Sequence, residues 1–359
     1  MSRLTAIVAA LLLASPALAV EVPAPKLSLS GSVDGYFLLN VTQSQTDDYG
    51  GGVVGNPTLA PGYATGFNLG TARLGAKAES GPVTLVLDLA YGPAGMFETG
   101  ASTGLSMFVE QAFASMKFGK LTVDAGRFVT PVGLESAVAK DNWLYSHGLL
   151  YTFARPVGHV GARVSMALSP ELSGYAFVAN GGDLKTNDDG FTGSPYKTAA
   201  VGGRYTKDGM VFAGNLLVSK DPGVGPVPGA DSYLLDVGFL KEVGPTSFSV
   251  NGDLGSYDGS TYFGIGAAVK HALEQDGLKV VGRAEFFSDD DAVRAPFLVG
   301  TSGPGGSLFS LAGGVNYPVG KNAELRAELR FDHASEKVYK PTDPSNSILT
   351  FTASALAWF

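Results

Sequence analysis

What most constrains this chain is an alternation of apolar and polar residues with period two, sustained in runs longer than soluble strands usually reach. In residues 27–43, Leu27, Leu29, Val33, Phe37, Leu39 and Val41 share one parity, and Ser28, Ser30, Ser32, Asp34, Asn40 and Thr42 the other. Residues 323–332 repeat the pattern with charges: Ala323, Leu325, Ala327, Leu329 and Phe331 alternate with Glu324, Arg326, Glu328, Arg330 and Asp332. Successive side chains of a strand point to opposite sides of the sheet, so each run has one greasy face and one wet one. A face carrying five charges is expected to meet water, and an aliphatic face must meet a protein core or lipid. Most runs are about 9–13 residues long, whereas strands average about 5–6 residues in soluble proteins and about 9–11 when they cross a bilayer.

The connections alternate as well. Short ones fall at Ser80-Gly81-Pro82, Gly119-Lys120, Ser169-Pro170-Glu171, Asp208-Gly209, Gly244-Pro245, 274–277 and 320–322, each with residues that tight turns need. Between them lie longer Gly-, Pro- and Asp-rich segments near 44–65, 92–106, 129–156, 180–195, 221–230, 257–260, 289–304 and 334–346. Seven short turns and eight longer loops imply about sixteen strands, with both ends of the chain on the same side. The expectation is all-β: a transmembrane antiparallel β-barrel with short periplasmic turns and longer extracellular loops. Aromatic residues of the apolar parity near strand ends (Tyr91, Phe118, Tyr205, Phe239, Phe248, Tyr317, Phe331 and Phe359) suit the interfacial girdles of such a barrel. The rival is a soluble secreted β-protein, which would need apolar residues on both sheet faces in places.

Both termini carry signals. Arg3, the apolar stretch Leu4–Ala14, Pro16 and Ala17-Leu18-Ala19 read as a signal peptide over residues 1–19, leaving a barrel over 20–359. At the other end LTFTASALAWF sets Leu349, Phe351, Ala353, Ala355, Ala357 and Phe359 on one parity. Phe351 and Phe359 are the expected assembly signal, read by the outer-membrane assembly machinery. There is no Cys, which excludes a disulfide scaffold and thiolate metal sites. The formal charge of −8 argues against a nucleic-acid partner.

Within residues 121–168, Gly126-Arg127-Phe128 is followed by Thr130-Pro131-Val132-Gly133-Leu134-Glu135, with Asn142, Ser146 and Arg155-Pro156-Val157-Gly158-His159-Val160-Gly161 downstream. This block resembles the OmpL-like β-barrel porin family, and the alternating strands extend the likeness loosely over most of the chain. The resemblance implies an outer-membrane channel and names no solute. The expected function is therefore passive diffusion of small hydrophilic solutes and ions, without a cofactor, with lipid around the barrel and homo-oligomerisation open. A substrate-selective channel, for anions or oligosaccharides, is the alternative.

The pore-lining candidates are Arg73, Lys77, Asp124, Arg127, Glu135, Arg163, Arg204, Arg283, Glu285, Glu324, Arg326, Glu328 and Arg330. They would set ion preference, or form ordinary cross-strand ion pairs, and a water-filled barrel accommodates both. The 129–156 loop carries Glu135, Lys140, Asp141, Trp143, Tyr145 and His147. It is expected either to fold inward, with Glu135 opposing Arg127 and Arg163, or to pack over the rim. Catalysis finds little support. The chain has four His (His147, His159, His271 and His333), no Gly–x–Ser–x–Gly elbow, and a Ser146-His147 pair whose adjacency says nothing of nucleophile–base geometry. Asp188-Asp189 and Asp289-Asp290-Asp291 read as solvated acidic loops rather than metal sites.

Overall fold

The computed structural model describes residues 24–42, 65–92, 106–181, 196–220, 230–274, 277–295, 305–339 and 345–359. The expected signal peptide, Asp188-Asp189 and most of the long connections lie outside the described residues. Sixteen strands follow in order: β1 (Lys26–Asn40), β2 (Gly66–Ser80), β3 (Val83–Gly92), β4 (Ser106–Phe118), β5 (Leu121–Val129), β6 (Gly158–Ala167), β7 (Leu172–Asn180), β8 (Lys197–Lys207), β9 (Met210–Lys220), β10 (Asp231–Val243), β11 (Thr246–Tyr257), β12 (Ser260–Ala272), β13 (Lys279–Asp289), β14 (Gly306–Pro318), β15 (Ala323–Ala334) and β16 (Ser347–Trp358). Each pairs antiparallel with its neighbours in sequence, and β1 closes on β16. Closure matters because lipid offers no hydrogen bonds, so a spanning sheet cannot leave an open edge. The seam runs from Ser32 opposite Trp358 to Asn40 opposite Thr350. Phe359 extends it, donating its amide to the Gly31 carbonyl at 3.0 Å.

All seven short turns fall where the sequence places them. One of the longer connections does not. Between β11 and β12 only Asp258 and Gly259 intervene, with φ of 51° and 86°, the left-handed pair of a tight type I′ hairpin. Asp-Gly is the strongest short signal for that turn and outweighs the expectation of a loop.

Outside, the barrel is aliphatic and aromatic. Leu235, Ile265, Leu311, Leu325 and Leu329 are exposed, as are Tyr91, Phe118, Phe239, Phe248, Tyr317, Phe331 and Phe359, while Tyr205 is half-buried. A bilayer would cover such a face without a second protein layer. Inside, the outcome differs from expectation. Glu324, Arg326, Glu328, Arg330 and Asp332 are all buried, Arg330 to 1% exposure, instead of standing in open water. The cause is the segment 130–157, which enters the barrel and lies against them. With it comes an apolar cluster inside the bore: Val132, Leu149, Leu150 and Phe153 from the loop against Phe128, Phe177, Leu217, Tyr262 and Phe287 of the wall. Asp289 also departs from the solvated reading. It is fully buried and accepts hydrogen bonds from the amides of Val293, Arg294 and Ala295 at 3.0, 2.7 and 2.7 Å, capping the turn after β13.

Candidate functional site

The 130–157 loop is tied at its base, where the Thr130 amide donates to the Val157 carbonyl at 3.0 Å. From there it crosses the bore toward β10–β15. A 3-10 turn (Ala139–Asp141) and a π-helical turn (Leu150–Ala154) shape it. Asn142 stitches the first part: its Oδ1 accepts from the Ser136 amide at 2.8 Å, and its Nδ2 donates to the Ser136 carbonyl at 2.7 Å. Leu144 lies against Gly314 of β14, where a Cβ would stand 2.9 Å from Leu144 Cδ2. A side chain there would push the loop off the wall.

Backbone carbonyls and amides brought into a closed interior need partners, and the inner charges of β13–β15 supply them. Arg326 donates to the carbonyls of Ala139 and Leu144 at 2.9 and 3.2 Å. Arg330 donates to the His147 carbonyl at 2.6 Å and to Ser146 Oγ at 3.0 Å. Arg283 reaches the carbonyls of Ser146 and His147 at 2.9 and 3.0 Å. Glu328 accepts from the amides of Tyr145 and Ser146 at 2.9 and 3.0 Å, and from the Ser146 hydroxyl. The arginines keep carboxylate partners too: Arg283 with Glu135 at 2.7 Å and Glu285 at 3.0 Å, Arg326 with Glu324 at 2.6 Å, Arg330 with Asp332 at 2.9 Å. Charge-assisted bonds of this kind are roughly twice as strong as neutral ones. Further round the wall, Arg73 of β2 bonds Glu110 and donates to the Ala137 carbonyl at 2.8 Å, and the Tyr145 hydroxyl donates to Asp34 of β1 at 2.7 Å. The loop is thus anchored from β1 and β2 as well as from β13–β15.

Eight of the sequence candidates (Arg73, Glu135, Glu285, Arg283, Glu324, Arg326, Glu328 and Arg330) therefore meet around one loop. The others stand apart. Asp124 and Arg163 pair with each other across β5 and β6 at 2.7 and 2.9 Å. Lys77 pairs with Glu79 at 2.6 Å, both largely solvated. Arg204 is exposed on β8, with no ion pair among the described residues. Arg127 is buried with its guanidinium beside Gly158, while its neighbour Phe128 packs inside against His159 and Phe177. Glu135 corrects the expectation directly: it meets Arg283, not Arg127 or Arg163, because the loop runs to the far wall instead of doubling back on β5 and β6. Phe351 stands in register with Leu39 and Leu329 on the outward face, and Phe359 is exposed. Ser146 and His147 are not a catalytic pair, since the hydroxyl is held by Glu328, Arg283 and Arg330 while the imidazole stacks on Tyr151 at 3.7 Å.

Sequence reasoning did not nominate Asp34, Glu110, Arg155, Asp236 or Asp253 for the pore lining, although Asp34 stands on the polar parity of residues 27–43 and Arg155 within the 121–168 block. Glu110 had no usable signal. A register shift opposite Asp88/Leu89 leaves it as the extra residue in β4, so that it bonds Arg73 while the next residue, Gln111, bonds Asp88 at 2.6 Å. Strict alternation would have turned one of the two away.

Two cavities flank the loop. The larger, ≈ 570 Å³, lies toward β1–β5 and is lined by Arg73, Asp88, Glu110, Gln111, Lys140 and Arg155 among others. The smaller, ≈ 110 Å³, lies toward β10–β13 and is lined by Trp143, Tyr151, Arg155, Asn251, Asp253 and Arg283 among others.

A closed sixteen-stranded antiparallel barrel, aliphatic outside and crossed within by one anchored loop, is an outer-membrane channel of the porin class. The chain belongs to the family described as "Putative beta-barrel porin-2, OmpL-like", which it matches over residues 26–359. Its fold is similar to Salmonella typhi OmpF in complex with daunomycin (TM-score 0.64, 14% identity, 94% of this chain and 98% of that one covered). It is also similar to the anion-selective porin of Comamonas acidovorans (0.62, 11%, 93% and 100%) and to the trimer form of OmpT, an outer membrane protein of Vibrio cholerae (0.61, 12%, 94% and 100%). No curated protein matches by sequence.

Proposed function

We propose that the protein conducts small hydrophilic solutes and ions passively, through the space that the 130–157 loop leaves beside β1–β5. The observation that carries this reading is the asymmetry of the loop's seat. Against β13–β15 its backbone is bonded residue by residue, whereas toward β1–β5 a cavity of ≈ 570 Å³ remains. That cavity is lined by both signs of charge, Arg73 and Lys140 beside Asp88 and Glu110, which suits hydrated solutes of either charge more than one ionic class. The loop acts as the constriction. Removing residues 136–147 should raise single-channel conductance in planar bilayers, and an unchanged conductance would refute the constriction. Lipid as the outer partner and homo-oligomerisation belong to the same reading. So does export: mature protein from outer membranes should begin at Val20. Deletion of Phe359, which extends the β1–β16 seam, should slow the appearance of folded, heat-modifiable protein.

A further inference from the structure

Around the loop, Arg73, Arg283, Arg326 and Arg330 each have a carboxylate partner. Arg155 does not. It is 6% exposed and makes no ion pair among the described residues. Among the described residues its Nη1 reaches only the carbonyl of the adjacent Pro156 at 3.3 Å, and its Nε has no hydrogen-bond partner. Its position is nevertheless built. The Tyr151 ring lies under the guanidinium at 3.6 Å, and Gly133 leaves the berth for its stem, since a Cβ there would stand 3.1 Å from Arg155 Cδ. Gly133 also has φ of 86°, which other residues resist.

Asp253 of β11 is the counterpart. It is 5% exposed and its Oδ1 has no partner. Across β10–β11 it stands in register with Asp236, whose own oxygens accept from Asn215, Asn251 and the Gly133 amide. Neither acid forms an ion pair among the described residues. A buried polar group left open is costly; Arg155 has no carboxylate partner, and Asp253, whose side chain bonds that of Asp236, leaves Oδ1 open on the same cavity, without the two bonding each other. The lining also includes the apolar Leu134, Trp143 and Leu150, the polar Ser249 and Asn251, and Arg283 with Glu135 and Glu285, which are already paired with one another. A volume of ≈ 110 Å³ exceeds what one water occupies, about 10–15 Å³ by the same kind of measure. An anion alone would neutralise Arg155 and leave Asp253. A cation would do the reverse.

We propose that this cavity is a binding site for a small zwitterion of the α-amino acid class, its carboxylate on Arg155, its ammonium on Asp253, and its side chain against Leu134, Leu150 and Trp143. The site deepens the reading of the protein as a channel with an inward loop, supplying a preferred solute beside the general path.

The test uses the full-length protein in planar bilayers and three matched probes. L-leucine carries both charges, 4-methylpentanoate only the negative one and isopentylammonium only the positive one. Leucine should reduce the current in a concentration-dependent, saturable way, with each singly charged analogue roughly tenfold weaker or more, as expected when one charge-assisted contact is lost. Arg155→Lys and Asp253→Asn, accepted only if heat-modifiable and conducting, should each raise the half-blocking leucine concentration by a similar factor. Should 4-methylpentanoate block as well as leucine, the site is an anion site and the proposal falls; equal block by isopentylammonium overturns it likewise. Where the channel conducts and leucine does not block it, equilibrium dialysis of L-leucine against the detergent-folded protein decides the site: no saturable binding refutes it while leaving the channel reading intact. Absence of any conductance would refute the channel reading itself, and equilibrium dialysis of L-leucine against the detergent-folded protein then decides the site separately: saturable binding lost in Arg155→Lys supports it, and none overturns it.

Discussion

The two sides of the loop's seat use the same residue types and reach opposite ends. On the β13–β15 wall, Arg283, Arg326 and Arg330 alternate with Glu285, Glu324, Glu328 and Asp332, and those arginines have both a carboxylate and loop carbonyls in reach. At the cavity toward β10–β13, Arg155 and Asp253 are as deeply buried but make no ion pairs among the described residues. The difference is what meets them. Loop backbone fills the first set's hydrogen-bonding capacity, so those charges serve as structure. The second set faces space. A buried charge whose needs the fold already meets holds the fold together, and one whose needs are left open is available to a solute.

The largest effect should separate the two sets. Arg330→Met would strand Asp332 and remove one of the two arginine donors to the His147 carbonyl and to Ser146 Oγ, and breaking a buried pair typically costs about 3–5 kcal/mol. The loss would be read as unfolding free energy in lipid vesicles, with higher conductance as the loop loosens. Arg155→Met removes a charge that has no carboxylate partner and should cost far less, or stabilise. Equal losses in the two variants would erase the distinction. Arg330 is 1% exposed and bonds loop backbone, where the sequence predicts water on that face, and a lumen charge should be freely replaceable only where water is what solvates it.

Next in size is the outward face of the same strand. Leu329→Arg places a charge toward lipid and should cost about 2–4 kcal/mol near the bilayer midplane, less near an interface. Adjacent positions 329 and 330 would then both resist substitution, one because of lipid and one because of the loop. Tolerance at 329 would mean that the face is not lipid-covered.

A smaller effect is expected for Asp124 and Arg163, whose pair is made away from the loop and leaves Arg163 partly solvated. A double-mutant cycle should give a coupling near 1 kcal/mol or below, against a much larger one between Arg330 and Asp332. The smallest belongs to Arg204. Arg204→Gln should leave stability within about 0.5 kcal/mol and move the reversal potential slightly toward cations. A large change in stability would reveal a partner that its exposure does not suggest.

How much of this was readable in advance depended on the range of the interaction. The outward row Leu325, Leu329 and Phe331 and the inward row from Glu324 to Asp332 could be assigned residue by residue, because pleating makes alternation a local property. The seven tight turns were legible for the same reason, through Gly, Pro and Asp at their tips. Asp258-Gly259 was misjudged only by treating a turn signal as part of a longer loop. Glu110 escaped because one extra residue in a strand shifts the inside–outside pattern without any mark in composition.

By itself, then, the sequence determined a closed antiparallel barrel of about sixteen strands and which face of each strand is apolar, and left open whether the long segment after β5 folds inward or packs over the rim. Only the tertiary structure decided that Glu135 meets Arg283 and not Arg127 or Arg163, that the charges of β15 bind loop backbone instead of water, and that Arg155 and Asp253 share a cavity without touching. The physical reason is distance along the chain. Glu135 and Arg283 are 148 residues apart, and nothing local in either stretch encodes where a loop lands once sixteen strands have closed around it.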